Sequence, residues 1–447
     1  MISFSPNYHS TPPKRIMSET AIADWFSRNG AQIHPSLKII RSDCGELVIA
    51  SSENIRASTT ILSIPSDSIL TLTNSPLSTI IPELSEKAQW PALIITVMYE
   101  ASKLDSKWRA YLDSLPKQFD TLMYWTSEEL QELDGSAVIN KIGKEESEMW
   151  YSVDFQKILN KYGSEFEGVD VSLEAFHRVG SWIMAFSSDL EKPADAENPR
   201  DEDEMDEDDI EYDALDSYKA MVPFAHLIPS DCDLANCELE TSESAVSFVT
   251  VKDIPANSTL YVDPGPLPRS DLLRRVGSYP QSATQHDVVE IDSTLIISVA
   301  GKALSDAARE SRIDKLVEEE ILEDSYDIEA DGGIPSEILY VIQGFIVDDG
   351  IFQSYVQQEK FPKAKKDAIT RDVILEVIEK RREMYRTTVD DDVALLNSDT
   401  ELAKRKKMAV EVRLGEKEIL KRMEDIVKSW GDSQVEGSGS RKRIKMR

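Results

Sequence analysis

Residues 221–231 read Met221-Val-Pro-Phe-Ala-His226-Leu-Ile-Pro229-Ser230-Asp231, and residues 263–277 read Asp263-Pro-Gly-Pro-Leu-Pro-Arg-Ser-Asp-Leu-Leu-Arg-Arg-Val-Gly277. Two strand-like runs, 245–251 and 259–262, lie between them. Proline has no side-chain donor and no backbone N–H, so neither Pro229 nor Pro264 can donate a hydrogen bond. His226 stands alone in this stretch. Its unperturbed imidazole titrates near neutral pH, which leaves a base and a hydrogen-bonded structural residue both open. Tyr261 sits on the second run, either as a packed strand aromatic or as a hydroxyl serving a site.

Upstream, residues 191–216 hold fourteen Asp and Glu against Lys192 and Arg200. Such a run cannot bury apolar surface, and the expectation is a disordered acidic loop inserted between ordered patterns. Helical spacing precedes it, over 87–103 and from 127 to about 190. Phe176, Val179, Ile183 and Phe186 fall on one face there, which reads as core. Nearer the N-terminus, a helix is expected around Ile22, Trp25 and Phe26, stopped by Asn29-Gly30. Short strands are expected at 37–41, 47–50, 60–64 and 68–72. Beyond 277, two strand-like runs occupy 287–299. Helical patterns then continue through 313–321, 336–347, 366–384 and 400–429. The last residues carry the cluster Arg441-Lys-Arg-Ile-Lys-Met-Arg447. It reads as an import signal, a polyanion contact or a solvated end.

At 447 residues the chain is too long for one ordinary core. A content of 41% hydrophobic and 30% charged residues is that of a globular protein. The residues before Arg15 lack the apolar core of a secretory leader, and no run is long and apolar enough for a bilayer span. Three cysteines, Cys44, Cys232 and Cys237, suit a reducing compartment rather than a disulfide framework. The Cys232/Cys237 pair lacks the second pair that a structural zinc requires, so no metal is expected. A net charge of −32 argues against naked nucleic acid, where phosphate contacts need Lys and Arg. It suits a basic protein partner, because opposite fields speed encounter.

Several stretches, taken in order, resemble one family. They are Trp25-Phe-Ser-Arg-Asn29 with His34-Pro35, Ile61-Leu-Ser-Ile-Pro65, Trp108-Arg-Ala-Tyr-Leu112 through Leu115-Pro116, Tyr124-Trp125, Arg381 through Thr388, and Ala409 through Leu420. The chain resembles SET-domain protein-lysine methyltransferases of the Rubisco large-subunit methyltransferase type. Ser181-Trp-Ile-Met184-Ala185, the acidic loop and Met221-Val-Pro223 look most like the fungal ribosomal lysine methyltransferases. The implied fold is α+β: a SET domain of small β-sheets with an inserted helical region, followed by an all-α substrate-binding domain. The implied division is a leader 1–16, a SET domain 17–280 with the insertion at 87–190 and the acidic loop at 191–216, a helical domain 281–431 and a basic tail 432–447.

The resemblance also implies a cofactor, S-adenosyl-L-methionine, and a basic protein substrate, with a large-subunit ribosomal protein as the candidate, in the nucleus or also in the cytoplasm. Methyl transfer to lysine is an in-line displacement in which the protein aligns, desolvates and excludes water. The family's cofactor positions fall on Gly45, Glu46, Leu47, Trp182, Pro229 and Ser230. Its substrate positions fall on Ser181, Met184 and His226, and its catalytic tyrosine falls on Pro264. This chain departs from the pattern at Leu47, where a glycine is usual, at Trp182, where an arginine is usual, and at His226, Pro229-Ser230 and Pro264, where Asp, Asn-His and Tyr are usual. Two readings follow: a methyltransferase acting on a ribosomal or nuclear protein, and a catalytically inactive adaptor that binds a lysine-bearing protein. A third, from residues alone, is an acidic escort working through 201–209.

Overall fold

The computed structural model describes residues 19–42, 47–191, 217–280, 283–358, 360–398 and 402–430. The acidic loop at 192–216, Gly45, Glu46 and the basic cluster at 441–447 lie outside the described residues. Two compact units form. The first comprises Met1–Gln118 with Glu145–Gly265, and the second Phe119–Lys144 with Pro266–Arg447. The sequence places the boundary near 280. The compact units divide at Gly265, and residues 119–144 of the expected insertion group with the second.

The first unit is built on small antiparallel sheets. Strands β1 (Gln32–Ile33), β4 (Thr60–Pro65), β8 (Ala245–Thr250) and β7 (Cys237–Thr241) lie side by side in that order. β8 alternates half-buried and buried residues along its length, as a strand with one face on a core must. β2 (Leu37–Arg41) pairs with β3 (Leu47–Ser51), and β5 (Ser187–Glu191) pairs with β6 (Ser217–Met221). Against them pack the helix Gln89–Ser102 and the helix Leu173–Phe186. Ser172 caps the latter by accepting from the Ala175 amide. Phe176, Val179 and Ile183 are buried along it, as the spacing predicts.

Three expected elements differ. Residues 187–191 form a strand rather than the end of a helix, because pairing with β6 outweighs local preference. Residues 68–72 and 259–262 make isolated bridges rather than regular strands: Leu70 faces Met221, Thr259 faces Ala50 and Val262 faces Ser230.

The second unit is mostly helical. β9 (Val288–Asp292) pairs with β10 (Ser325–Glu329). The apolar run after β9, read as a strand, is the helix Ser293–Ala300; short apolar runs do not reveal their period. Helices Ser336–Ile346, Ala368–Glu383 and Lys404–Lys428 enclose a core that includes Ile342, Phe345, Ile378 and Leu420. A second cluster joins Leu122, Trp125, Leu133 and Val138 to Leu273 and Met408. The helix Arg269–Arg275 ends at Gly277, whose φ of 78° lets its N–H reach the Leu272 and Leu273 carbonyls.

Candidate functional site

His226 lies in a short turn, Ala225–Leu227, that follows β6. The residue before the turn, Phe224, is fully buried with a left-handed φ of 64°. A phenylalanine tolerates that backbone only where packing compensates. Its ring lies 5.2 Å from Trp25, 5.3 Å from Phe26 and 5.6 Å from Tyr111. The turn thus aims His226 at Tyr111, 5.6 Å between ring centres, with Phe186 5.7 Å away.

Two hydrogen bonds fix the imidazole's tautomer. Ser114 Oγ donates its one proton to the Tyr111 carbonyl. Its oxygen, 3.2 Å from His226 Nε2, can therefore only accept there. This assigns the imidazole proton to Nε2 and leaves Nδ1 as a bare acceptor. Nδ1 is buried without a partner, and so is the Tyr111 hydroxyl. Burial drives the His226 pKa down to about 3, a fall that a hydrogen bond to the Ser114 backbone offsets only in part. Burial pushes the Tyr111 phenol well up. At neutral pH both groups are uncharged.

The chain before Pro264 runs alongside Pro229 and Ser230. Val262 N–H donates to the Pro229 carbonyl at 3.1 Å, and Asp231 N–H donates to the Val262 carbonyl at 2.9 Å. Asn236 fastens the same segment. Its side chain accepts from Tyr261 N–H and donates to the Thr259 carbonyl, and its own N–H donates to the Tyr261 carbonyl. Tyr261 is half-buried and holds this ladder through its backbone. Cys237 Sγ, 3.3 Å from the Tyr261 carbonyl, is pushed up to about 12 by burial and stays a thiol. Pro264 itself is half-buried at a tight turn, where Asp263 Oδ1 accepts from Gly265 N–H at 2.9 Å and Gly265 has a φ of 82°.

The remaining predicted positions are engaged elsewhere. Trp182 is buried and donates its indole N–H to the Pro116 carbonyl at 2.7 Å. Ser181 Oγ bonds back to the His177 carbonyl of its own helix. Met184 is half-buried near the end of that helix, and Leu47 is the half-buried first residue of β3. The structure brings Pro229 and Ser230 beside the strand that leads to Pro264. It holds His226 by other partners, namely Tyr111, Ser114 and Phe186. Tyr111, Ser114 and Asn236 escaped the sequence reading. Tyr111 and Ser114 meet His226 across more than a hundred residues, a separation that no local pattern encodes.

The described positions expected to hold S-adenosylmethionine, Leu47, Trp182, Pro229 and Ser230, offer it few side-chain partners. Among the described ones, Trp182 spends its only donor on Pro116, Pro229 has none, and only Ser230 offers a side-chain hydroxyl. No step through the cofactor is derived from them. Nearby, Asp231, Cys232 and Asp233 lie close enough to share an ion, but the Asp231 carboxylate already accepts from the Asp233 and Leu234 amides.

The architecture of small sheets followed by a helical unit is that of SET methyltransferases with an appended helical domain. The solved structure of Rubisco LSMT bound to sinefungin and monomethyllysine superposes with a TM-score of 0.68 over 94% of this chain and 92% of that one, at 18% identity. Rubisco LSMT bound to AdoMet superposes at 0.66. Residues 305–420 match the family described as Rubisco LSMT substrate-binding. Ribosomal lysine N-methyltransferase 4 of Saccharomyces cerevisiae is 28% identical over 338 residues, which cover 70% of this chain and 68% of that protein. Its Schizosaccharomyces pombe namesake is 25% identical over 329 residues, or 62% and 69% of the two chains. The chain is thus similar in fold to the SET-domain Rubisco LSMT structures, similar in sequence to ribosomal lysine N-methyltransferase 4, and matched over residues 305–420 by the Rubisco LSMT substrate-binding family. Among the described residues, no helix is long and apolar enough to cross a membrane.

Proposed function

We propose that the chain is a SET-type binding module that engages a basic, lysine-bearing protein of the large ribosomal subunit and does not turn over S-adenosylmethionine. The observation that carries this reading is the chemistry at His226, Pro229 and Pro264. A neutral imidazole offers no negative charge to an ammonium, and the two prolines offer no hydroxyl or amide to align methyl and amine. The named role of the yeast relatives supports the partner class. The net charge of −32 supports it too, since such a field attracts basic surfaces. Residence in the nucleus fits the cluster at 441–447.

Calorimetric titration with S-adenosylmethionine to millimolar concentration tests the catalytic half. No heat is expected, and no labelled methyl group should reach purified large ribosomal subunits. Stoichiometric heat together with methyl transfer overturns the proposal. Pull-down of lysine-rich large-subunit proteins, weakened by salt, tests the binding half. The double substitution Pro229→Asn with Pro264→Tyr asks whether the scaffold still accepts the chemistry, with cofactor heat as the readout.

A further inference from the structure

The helical unit carries an open groove of about 1120 Å³ between the helices Ala368–Glu383 and Lys404–Lys428. Asp372, Glu376, Glu379 and Glu383 line one side. They recur at i, i+4, i+7 and i+11, so they form one stripe about 16 Å long on one helix face. The cations around it are largely committed. Arg382 and Lys428 share Glu424, Arg386 meets Asp134, and Lys417 meets the buried Asp392. On the acidic side, Asp372 meets its neighbour Arg371 and Glu376 meets Lys302. Glu379 and Glu383 are exposed and make no ion pair among the described residues. A cationic chain laid along this stripe would find carboxylates at every turn.

The chain itself supplies such a segment at the right place. The last described residue, Trp430, is tied to the start of the acidic helix. Its carbonyl accepts from Arg371 Nη1, and Lys366 Nζ stands 5.2 Å over its ring. Arg371 precedes the first carboxylate of the stripe. Ten residues rich in Gly and Ser, 431–440, then lead to residues 441–447, of which five are Arg or Lys. A Gly/Ser linker of that length spans roughly 16–19 Å root-mean-square, matching the stripe. A short tether of this kind raises local concentration to about the millimolar range, enough to favour even weak ion pairing.

We infer that the groove holds residues 441–447 of the same chain, as an intramolecular occupant that any basic partner must displace. This inference is independent of the reading of His226 and Pro264. Its test uses the full chain at low salt. Zero-length carbodiimide coupling joins carboxylates to lysines in contact, and the monomer is then mapped by mass spectrometry. Glu424 with Lys428 is the internal control, because they touch in the structure. Links from Lys442 or Lys445 to Asp372, Glu376, Glu379 or Glu383 are expected. They should fade in about 0.5 M salt, where the Debye length shrinks to a few ångströms. Links to Asp372 and Glu376 should fall at least about fivefold in the double substitution Glu379→Lys with Glu383→Lys, since the tether's advantage depends on a matching surface. The control link without any tail link overturns the inference. So do tail links confined to the dimer, which would make a second copy the occupant, and tail links spread evenly over acids elsewhere.

Discussion

His226 shows how one side chain sets the character of its surroundings. A carboxylate at that position would be a fixed negative charge. The imidazole is instead neutral, with its proton on Nε2 and its Nδ1 lone pair buried without a partner, as the Tyr111 hydroxyl also is. This has a measurable sign. In the unfolded chain the imidazole titrates near 6.5, whereas in the fold burial holds it down at about 3. Between those values the unfolded state binds a proton that the folded state refuses, so stability is complete above about pH 6.5 and falls as pH drops toward 3. The contribution is at most about 1.4 kcal/mol per pH unit. Urea unfolding of the natural chain and of His226→Gln, compared at pH 7.5, 6 and 5, should show the natural chain losing stability faster. Parallel pH profiles would show that solvent reaches Nδ1 freely. Pro229 and Pro264 were legible from sequence, because an imino acid forbids a hydrogen bond whatever its surroundings. The partners of His226 were not, because they are fixed by a fold that brings Ser114 and Tyr111 to it from 112 and 115 residues away.

Among the elements, the helix Lys404–Lys428 bears the heaviest electrostatic load. It buries Arg413, Glu416 and Lys417 within two turns. Asp392, fully buried, accepts from Arg413 Nη2 at 2.7 Å and Lys417 Nζ at 2.6 Å, with Thr387 as a third donor. Burial alone would raise the Asp392 pKa, but the two cations outweigh it and hold the carboxyl below its ordinary range. Its stabilisation is therefore present above about pH 3.9 and lost as pH falls below that. Asp392→Asn leaves the buried Lys417 without its carboxylate and Arg413 with Glu132 alone, and should cost roughly 3–5 kcal/mol, read as a lower denaturation midpoint. A cost below about 1 kcal/mol would mean that water enters the cluster. Gly277→Ala is the sharpest test of a single cap. At a φ of 78° an added Cβ is strained, and it would sit 2.7 Å from the Thr121 amide nitrogen. A loss above about 1 kcal/mol is expected from the backbone alone, with the clash adding to it. An unchanged melting temperature would disprove that close approach. The helices here were readable because their apolar spacing is repeated over several turns. β10 was not, because Ser-Tyr-Asp-Ile-Glu becomes a strand only by pairing with β9, and that pairing is not written in either segment.

At the scale of the molecule, the chain crosses between its two units three times. It leaves the first at Gln118, returns at Glu145 and leaves again at Gly265. The excursion Phe119–Lys144 is no loose loop. Ser136 Oγ donates to Glu416 at 2.6 Å, Glu132 accepts from Arg413 and Lys406, and Asp120 accepts from Lys404 and Arg405. Leu122, Trp125, Leu133 and Val138 complete an apolar cluster with Leu273 and Met408. Periodicity and composition change near 280, which is why the sequence suggests a boundary there, but they carry no information about which unit a short helical insertion joins. The consequence is testable. A fragment of residues 281–431 keeps the helices yet strips Glu416 of Ser136, Arg413 of Glu132 and Asp287 of its buried partner Arg269. Truncating one side of a buried ion pair typically costs about 3–5 kcal/mol, and a domain holds only about 5–15 kcal/mol in all. The fragment should therefore melt without a cooperative transition. A chain that joins 119–144 through a long Gly/Ser linker to 266–430 should recover one. Cooperative melting of residues 281–431 alone would show that the insertion is a passenger, because the buried charges would then have found other partners within the helices.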